Sequence, residues 1–231
     1  MARPLSRPST IATWNRNPAD EEAMGAVHAP IWRRMAEVSL PHDISTSTVL
    51  DYGCNQGGFL RLLYDSHSFK SAVGIDIARE SVARAELLKG HRPIEYKVAD
   101  TAASVGRVFD YAFSHEVIYL LPDLAAHARD VKAALQPGAS YVAAMGCHTD
   151  SSVWPRWRKL IAETSSIPLY DHSLEDVSKA FAGAGFTVSV RPLALDAFMQ
   201  VTIGSAYFPK IVDQLRYYTT DKVLFRFVRQ P

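Results

Sequence analysis

The sequence predicts an α/β domain built on a mostly parallel sheet, and three observations predict it. First, Asp51-Tyr52-Gly53-Cys54-Asn55-Gln56-Gly57-Gly58 joins a short apolar run, Thr48 to Leu50, to Phe59-Leu60-Arg61-Leu62-Leu63-Tyr64, which has the spacing of an apolar helix face. Second, two further apolar runs end in an acid: Ser71-Ala72-Val73-Gly74-Ile75-Asp76 and Tyr96-Lys97-Val98-Ala99-Asp100. Third, strand and helix patterns alternate from residue 48 to 145, the rhythm that parallel strands with right-handed crossovers require.

The glycine-rich stretch is a strand, a tight turn and a helix N-terminus. Glycines there let the backbone bend sharply and let a ligand come close to the amides. The spacing is not G-x-G-x-x-G, the pyrophosphate-cradling pattern. An acid, Asp51, stands ahead of the first glycine instead, where it would repel a pyrophosphate and suit a ligand carrying an ammonium group. Asp76 ends a second strand roughly 20 residues past the glycines, where the nucleotide fold hydrogen-bonds ribose hydroxyls. Asp100, at the third strand's tip, suits the exocyclic amine of a base.

The remaining elements follow in order. Residues 1–12, with Pro4 and Pro8, read as a disordered N-terminus. A helix is predicted from Ala19 or Asp20 to about Leu40, with Met24, Val27, Ile31, Met35 and Val38 near a 3.6 period and Pro30 kinking or splitting it. Ser81 to Leu88 reads as a helix stopped at Gly90. Residues 101–107 allow a turn or one small helix. A fourth strand runs through Phe109 to Ser114, leading into His115-Glu116-Val117. Asp123 caps a helix through Leu135, and Pro137-Gly138 turns the chain into a fifth strand. Trp154-Pro155-Arg156-Trp157 opens an aromatic, basic insertion. Ser173 begins another helix with a weakened capping box. Phe186 to Val190 and Lys222 to Val228 are the last two strands, separated by a stretch far longer than usual connections and read as a lid or an interface.

This ordered set resembles the class I S-adenosylmethionine-dependent methyltransferases of small-molecule type. The resemblance rests on D-x-G-x-x-x-G at the first strand (Asp51, Gly53, Gly57), V-G-I-D at the second, V-x-D at the third and L-x-P-G before the fifth. A tail like V-L-x-x-L-P-D, here Val117-Ile118-Tyr119-Leu120-Leu121-Pro122-Asp123, follows the fourth. It implies a Rossmann-like, doubly wound, mostly parallel seven-stranded sheet with a C-terminal antiparallel hairpin and helical lid insertions. It also divides a single domain, 13–231, into a helical cap (13–45), a cofactor core (48–145) and insertions at 146–172 and 193–220. The family usually has glycine where this chain has Asn55, and asparagine tolerates left-handed backbone better than most residues.

The resemblance implies S-adenosyl-L-methionine as cofactor, held by Asp51, Gly53, Asn55, Gly57, Asp76, Ile77, Asp100, Thr101, Ser114 and His115. His115 and His148 are candidate general bases; either could instead serve only to hold its loop. Glu116 could orient His115 or hold a substrate amine. The N-terminal helix implied over the cofactor makes Trp14, His28 and Trp32 candidate pocket residues, joined by Tyr119, Trp154 and Trp157. These aromatics serve equally well as core or as homodimer contacts. The amino-methylating nucleic-acid enzymes carry N/D-P-P-Y/F after the fourth strand; here Ser114-His115-Glu116-Val117 has no proline.

Composition agrees with that direction. The chain has 231 residues, 48% apolar and 21% charged, with a net charge of +1 that gives no electrostatic reason to expect nucleic acid. No apolar run approaches a membrane span, and there is no signal-peptide core. Two cysteines make no disulfide framework, and the histidines lack zinc spacing, so a metal-free cytoplasmic protein is expected. The leading reading is a methyltransferase acting on an O or N atom of a small organic acceptor. Two others stay open: a non-catalytic module that binds the cofactor or its product and regulates a partner, and a nicotinamide-dependent oxidoreductase, against which Asp51 and the missing G-x-G-x-x-G argue.

Overall fold

The computed structural model describes residues 10–231. Seven strands form one sheet in the order β3-β2-β1-β4-β5-β7-β6. They are β1 (Ile44–Tyr52), β2 (Phe69–Asp76), β3 (Ile94–Val98), β4 (Phe109–His115), β5 (Leu135–Met145), β6 (Phe186–Pro192) and β7 (Val223–Arg229). The first five are parallel, and β7 runs antiparallel to both β5 and β6. The doubly wound sheet with its C-terminal hairpin is therefore the one expected.

Alternation along each strand sends neighbouring side chains to opposite faces. Leu50 and Val73 join a core with Ala128 and Val131 of α4 (Leu124–Ala133) and Val177 and Phe181 of α6 (Leu174–Gly183). Their neighbours Val49 and Ala72 join a second core with Ile31 and Met35 of α1 (Pro18–Ser39), Leu60 and Leu63 of α2 (Gly58–Ser66) and Val82 and Ala85 of α3 (Arg79–Leu88). A third, smaller cluster of Ile77, Tyr119, Leu120, Cys147, Trp154 and Ile161 lies where α5 (Trp154–Thr164) meets the loops after β2, β4 and β5.

Several elements differ from the sequence expectation. Helix α1 continues through Pro30 rather than splitting there; the missing hydrogen bond falls at an exposed position, while Ile31 and Met35 anchor the helix in the core. The helix before β5 ends at Ala133, and Leu135 to Pro137 already belong to the strand, whose register shifts near Phe109 and Tyr111 to absorb the proline and glycine. The capping box at Ser173 is complete, with Asp176 replying to the Ser173 amide. The long connection before β7 contains α7 (Ile211–Arg216) and a π-helical turn, Tyr217–Asp221.

Of the segment expected to be disordered, residues 1–9 lie outside the described residues. Ile11 bridges Ala78, donating to the Ile77 carbonyl at 2.9 Å, and Asn15 bridges Ser165. The buried Glu21 carboxylate ties this crossing down, accepting from the Asn15 amide at 2.9 Å and the Ser81 hydroxyl at 2.7 Å.

Candidate cofactor and acceptor site

The turn after β1 carries three left-handed backbone positions: Gly53 (φ 78°), Asn55 (φ 46°) and Gly57 (φ 72°). Asn55 thus takes the glycine-like conformation expected of it. The Gly53 and Cys54 amides both donate to the Ile75 carbonyl, at 2.8 and 2.9 Å, which pins the turn to the tip of β2. Close packing surrounds it. A Cβ on Gly53 would lie 2.4 Å from Val117, one on Gly57 2.4 Å from the Tyr96 ring, and one on Gly58 2.7 Å from Trp32. Tyr96 also donates its hydroxyl to the Gly57 carbonyl at 2.9 Å, a locking contact that no motif in the sequence announces.

Two carboxylates converge on this turn. Asp76 accepts from the Asn55 amide at 2.8 Å and the Ala78 amide at 2.9 Å, so it shapes the turn as well as facing whatever binds there. Asp51 is buried, and burial followed by the charge of Asp76 pushes its pKa up to about 8. The buried Asn55 Oδ1 has no hydrogen-bond partner among the described residues. A buried acid whose pKa is raised by burial and a neighbouring carboxylate, at the strand tip that leads into a turn with an unpartnered amide oxygen, marks a site short of positive charge. That is the complement of an ammonium group, and the residues present fit the cofactor expected.

Beyond the turn, Ile77 is buried in the third cluster, while Asp100 and Thr101 are exposed at the end of β3. Tyr52 donates its hydroxyl to the Asp100 carbonyl at 2.7 Å. Ser114, expected at the cofactor, is buried, with its hydroxyl 2.6 Å from that of Tyr141 inside the first core. That bond faces it into packing, so its place in the cofactor set is not supported by its contacts.

His115 ends β4. Trp32 donates its indole N–H to His115 Nδ1 at 3.2 Å, and the His28 ring stands edge-on to it at 4.6 Å. Burial, then the Lys222 charge, then His28 hold the His115 pKa well below its usual value. His28 falls to about 4 through burial and Lys222, with Glu116 opposing. His148 lies elsewhere in the network. Its Nε2 meets the Asp221 carbonyl at 2.7 Å, fastening the π turn from which β7 starts.

The sequence alone did not pair Glu116 with Lys222. Glu116 has a left-handed backbone (φ 55°), and its carboxylate accepts from the Gly146 amide at 2.8 Å, the Cys147 amide at 3.3 Å, the Tyr217 hydroxyl at 3.3 Å and the buried Lys222 ammonium. Burial alone would raise its pKa, but Lys222 and these donors overcome it and hold the group below the ordinary value. Tyr217 lies so close to Gly146 that any Cβ there would fall 2.1 Å from its hydroxyl. The two ions stand far apart in sequence, so only a known β4–β5–β7 adjacency would have suggested the pair.

The expected pocket aromatics fall into two groups. Trp14, Tyr119, Trp154 and Trp157 pack on the third cluster, whereas Trp32 packs with the second core beside His115. Trp154 donates to Asp171 at 2.8 Å, and Trp157 donates to the Tyr207 carbonyl at 2.9 Å while packing on Phe208 and Tyr217.

Against this geometry, a family model described as "Methyltransferase domain" matches residues 23–189. The chain belongs to the methyltransferase domain family. Its sheet is that of the class I S-adenosylmethionine-dependent methyltransferases, and enzyme class and methyl donor follow from that membership. Comparison with curated proteins gave no significant match. Among solved structures, a Haloferax volcanii chain, from a complex between the Trm112 methyltransferase activator and a candidate methyltransferase, is similar with a TM-score of 0.79 at 20% identity, covering 92% of this chain and 95% of that one. Geranyl diphosphate C-methyltransferase of Streptomyces coelicolor, in complex with Mg2+, geranyl diphosphate and S-adenosyl-L-homocysteine, has a TM-score of 0.64 at 16% identity, covering 92% and 83%. Phosphoethanolamine N-methyltransferase 2 of Haemonchus contortus, bound to S-adenosyl-L-methionine, has a TM-score of 0.60 at 19% identity, covering 87% of this methyltransferase and 52% of that chain. At these identities the likeness is one of fold.

Proposed function

We propose that this methyltransferase modifies a small organic acceptor at an oxygen or nitrogen atom. The observation that carries the reading is the convergence of Asp51, Asp76 and the unpartnered Asn55 Oδ1 on one left-handed turn, beside a partly buried aromatic and histidine-lined region. Bound there, S-adenosylmethionine supplies a methyl group on a sulfonium leaving group. The chain's own part is to bind and align. Asp51 and Asn55 Oδ1 take the ammonium end, Asp76 the ribose hydroxyls, and Ile77, Asp100 and Thr101 flank the base. Orientation is the largest lever such a protein has, because the cofactor carries the hard chemistry.

Trp32, His28 and His115 border the acceptor side, and Trp14, Tyr119, Trp154 and Trp157 give it an apolar wall suited to a ring-bearing molecule. A small acceptor is further supported by the absence of the proline-rich tetrad after β4 and by the near-neutral net charge. The buried free thiols of Cys54 and Cys147 suit a cytoplasmic location, and no helix among the described residues is long and apolar enough to cross a membrane.

Thermal stabilisation by S-adenosylmethionine and S-adenosylhomocysteine, with none by NAD, tests the cofactor half. Turnover against a panel of phenols, carboxylates and amines, followed by release of S-adenosylhomocysteine, tests the acceptor half; methylation of none of them, with transfer to RNA or protein instead, would overturn it.

A second reading concerns partners. Phe198 and Ile203 are fully exposed, and Val201, Ile211, Val212 and Leu215 are exposed near them, which supports a protein contact on this stretch, a homodimer included. Light scattering on the purified chain tests the homodimer: a monomeric mass at all concentrations removes it.

A further inference from the structure

The His115 ring carries information beyond its place in the site. An indole N–H only donates, so the Trp32 contact requires His115 Nδ1 to be bare. A neutral imidazole must then hold its proton on Nε2. The His28 ring stands edge-on to it at 4.6 Å, and the charge of Lys222 opposes a second proton, while the Glu116 carboxylate next in sequence is committed to Lys222 and the Gly146 and Cys147 amides. Nε2 is buried and has no partner among the described residues. What remains is a fixed, buried N–H donor with nothing to donate to, beside the turn that Trp32 and Val117 enclose.

We propose that His115 acts as a hydrogen-bond donor to a ligand oxygen rather than as a general base, and that Trp32 is the positioning residue that fixes its tautomer. The inference rests on the functional reading above. The oxygen has two sources with one chemistry, the carboxylate of the cofactor's amino-acid tail or an oxygen of the methyl acceptor. A ring whose outward nitrogen already bears the proton cannot accept one there. Any deprotonation of the acceptor therefore falls to another group or to solvent, or the attacking atom needs none.

Nuclear magnetic resonance on the full chain with 15N-labelled histidine reads this directly. Without ligand, His115 should show the Nε2–H tautomer, unchanged from about pH 5 to pH 8, the range where an ordinary histidine titrates. An Nδ1–H tautomer, or a titration midpoint inside that range, overturns the proposal. S-adenosylhomocysteine and methylthioadenosine, which lacks the amino-acid tail, are then compared. A shift of the Nε2–H resonance with the first alone assigns the oxygen to the cofactor carboxylate. If neither shifts it, benzoate added to the S-adenosylhomocysteine complex should, which assigns the oxygen to the acceptor. Binding of all three with the His115 proton unmoved overturns the inference while leaving the functional reading intact. Failure of S-adenosylhomocysteine to bind at all defeats that reading first.

Substitutions separate donor from filler. His115→Gln keeps an N–H donor and should hold the affinity of the responding ligand within about threefold, whereas His115→Leu should weaken it about tenfold. Trp32→Phe keeps the ring packing but loses the donor, so an Nδ1–H population should appear in a folded protein. An unchanged tautomer in that variant removes Trp32 from the role.

Discussion

At the scale of single residues, Asp51 makes the sharpest prediction. Its pKa is raised to about 8 in the folded chain, so the native state keeps a proton that the unfolded chain releases near the ordinary value of 3.8. Stability then falls as pH rises across that interval. Asp51→Asn cannot ionise, and its melting temperature relative to the parent should climb between about pH 5 and pH 8. Cofactor binding moves oppositely. An ammonium favours the ionised carboxylate, so affinity should increase severalfold from about pH 6 to pH 7.5 in the parent and lose that dependence in the variant. Calorimetry at several pH values checks both. Asp51, Asp76 and Asn55 were legible in the sequence because a strand tip and its turn are local. Tyr96 over Gly57 and Trp32 on His115 were not, because each joins elements whose separation only the folded sheet fixes.

Among elements, the Glu116–Lys222 pair couples the tail of β4 to the start of β7. Removing one partner leaves a buried charge uncompensated, so Glu116→Gln or Lys222→Met alone should each destabilise by about 3–5 kcal/mol, and the double variant should recover much of the loss. Denaturant titrations of the three proteins decide it; additive losses would mean the two ions act independently. The depressed Glu116 pKa adds a pH signature. Its contribution is present above the ordinary value of 4.5 and disappears as pH falls through the lower folded value. Gly146 belongs to the same junction, and Gly146→Ala should destabilise because Tyr217 leaves no room for a methyl group. At the other end of the site, Glu21 holds the Asn15 crossing to α3, and Glu21→Ala should cost about 1–3 kcal/mol through two lost buried hydrogen bonds. Trp157, on α5, fastens that helix to the segment before α7. Trp157→Ala should speed amide exchange around residues 205–217 while leaving cofactor affinity nearly unchanged; slower or equal exchange would show that it does not fasten this stretch. The capping residues at Ser173 marked the start of α6, while α5 was read only as an aromatic, basic insertion, and these fastenings depend on aromatic and ionic contacts across long sequence gaps.

For the whole molecule, alternating strands and helices made the parallel sheet readable, and the resemblance supplied the antiparallel end. What escaped was mainly register and boundary: Pro30 inside a continuous helix, and Pro137-Gly138 inside β5 rather than before it. Both are cases where tertiary packing overrides a local breaker, since Ile31 and Met35 hold α1 and pairing with β4 holds β5. The central claim is that the turn after β1 and the tip of β2 together form the S-adenosylmethionine site. Titration calorimetry of S-adenosylmethionine into the parent and into Asp76→Ala, with melting temperatures taken on the same samples, tests it most directly. The account predicts saturable binding to the parent and binding weaker by at least about tenfold, roughly 1.4 kcal/mol, in a variant that still melts cooperatively. Unchanged affinity in the folded variant, or no binding to the parent, would contradict it.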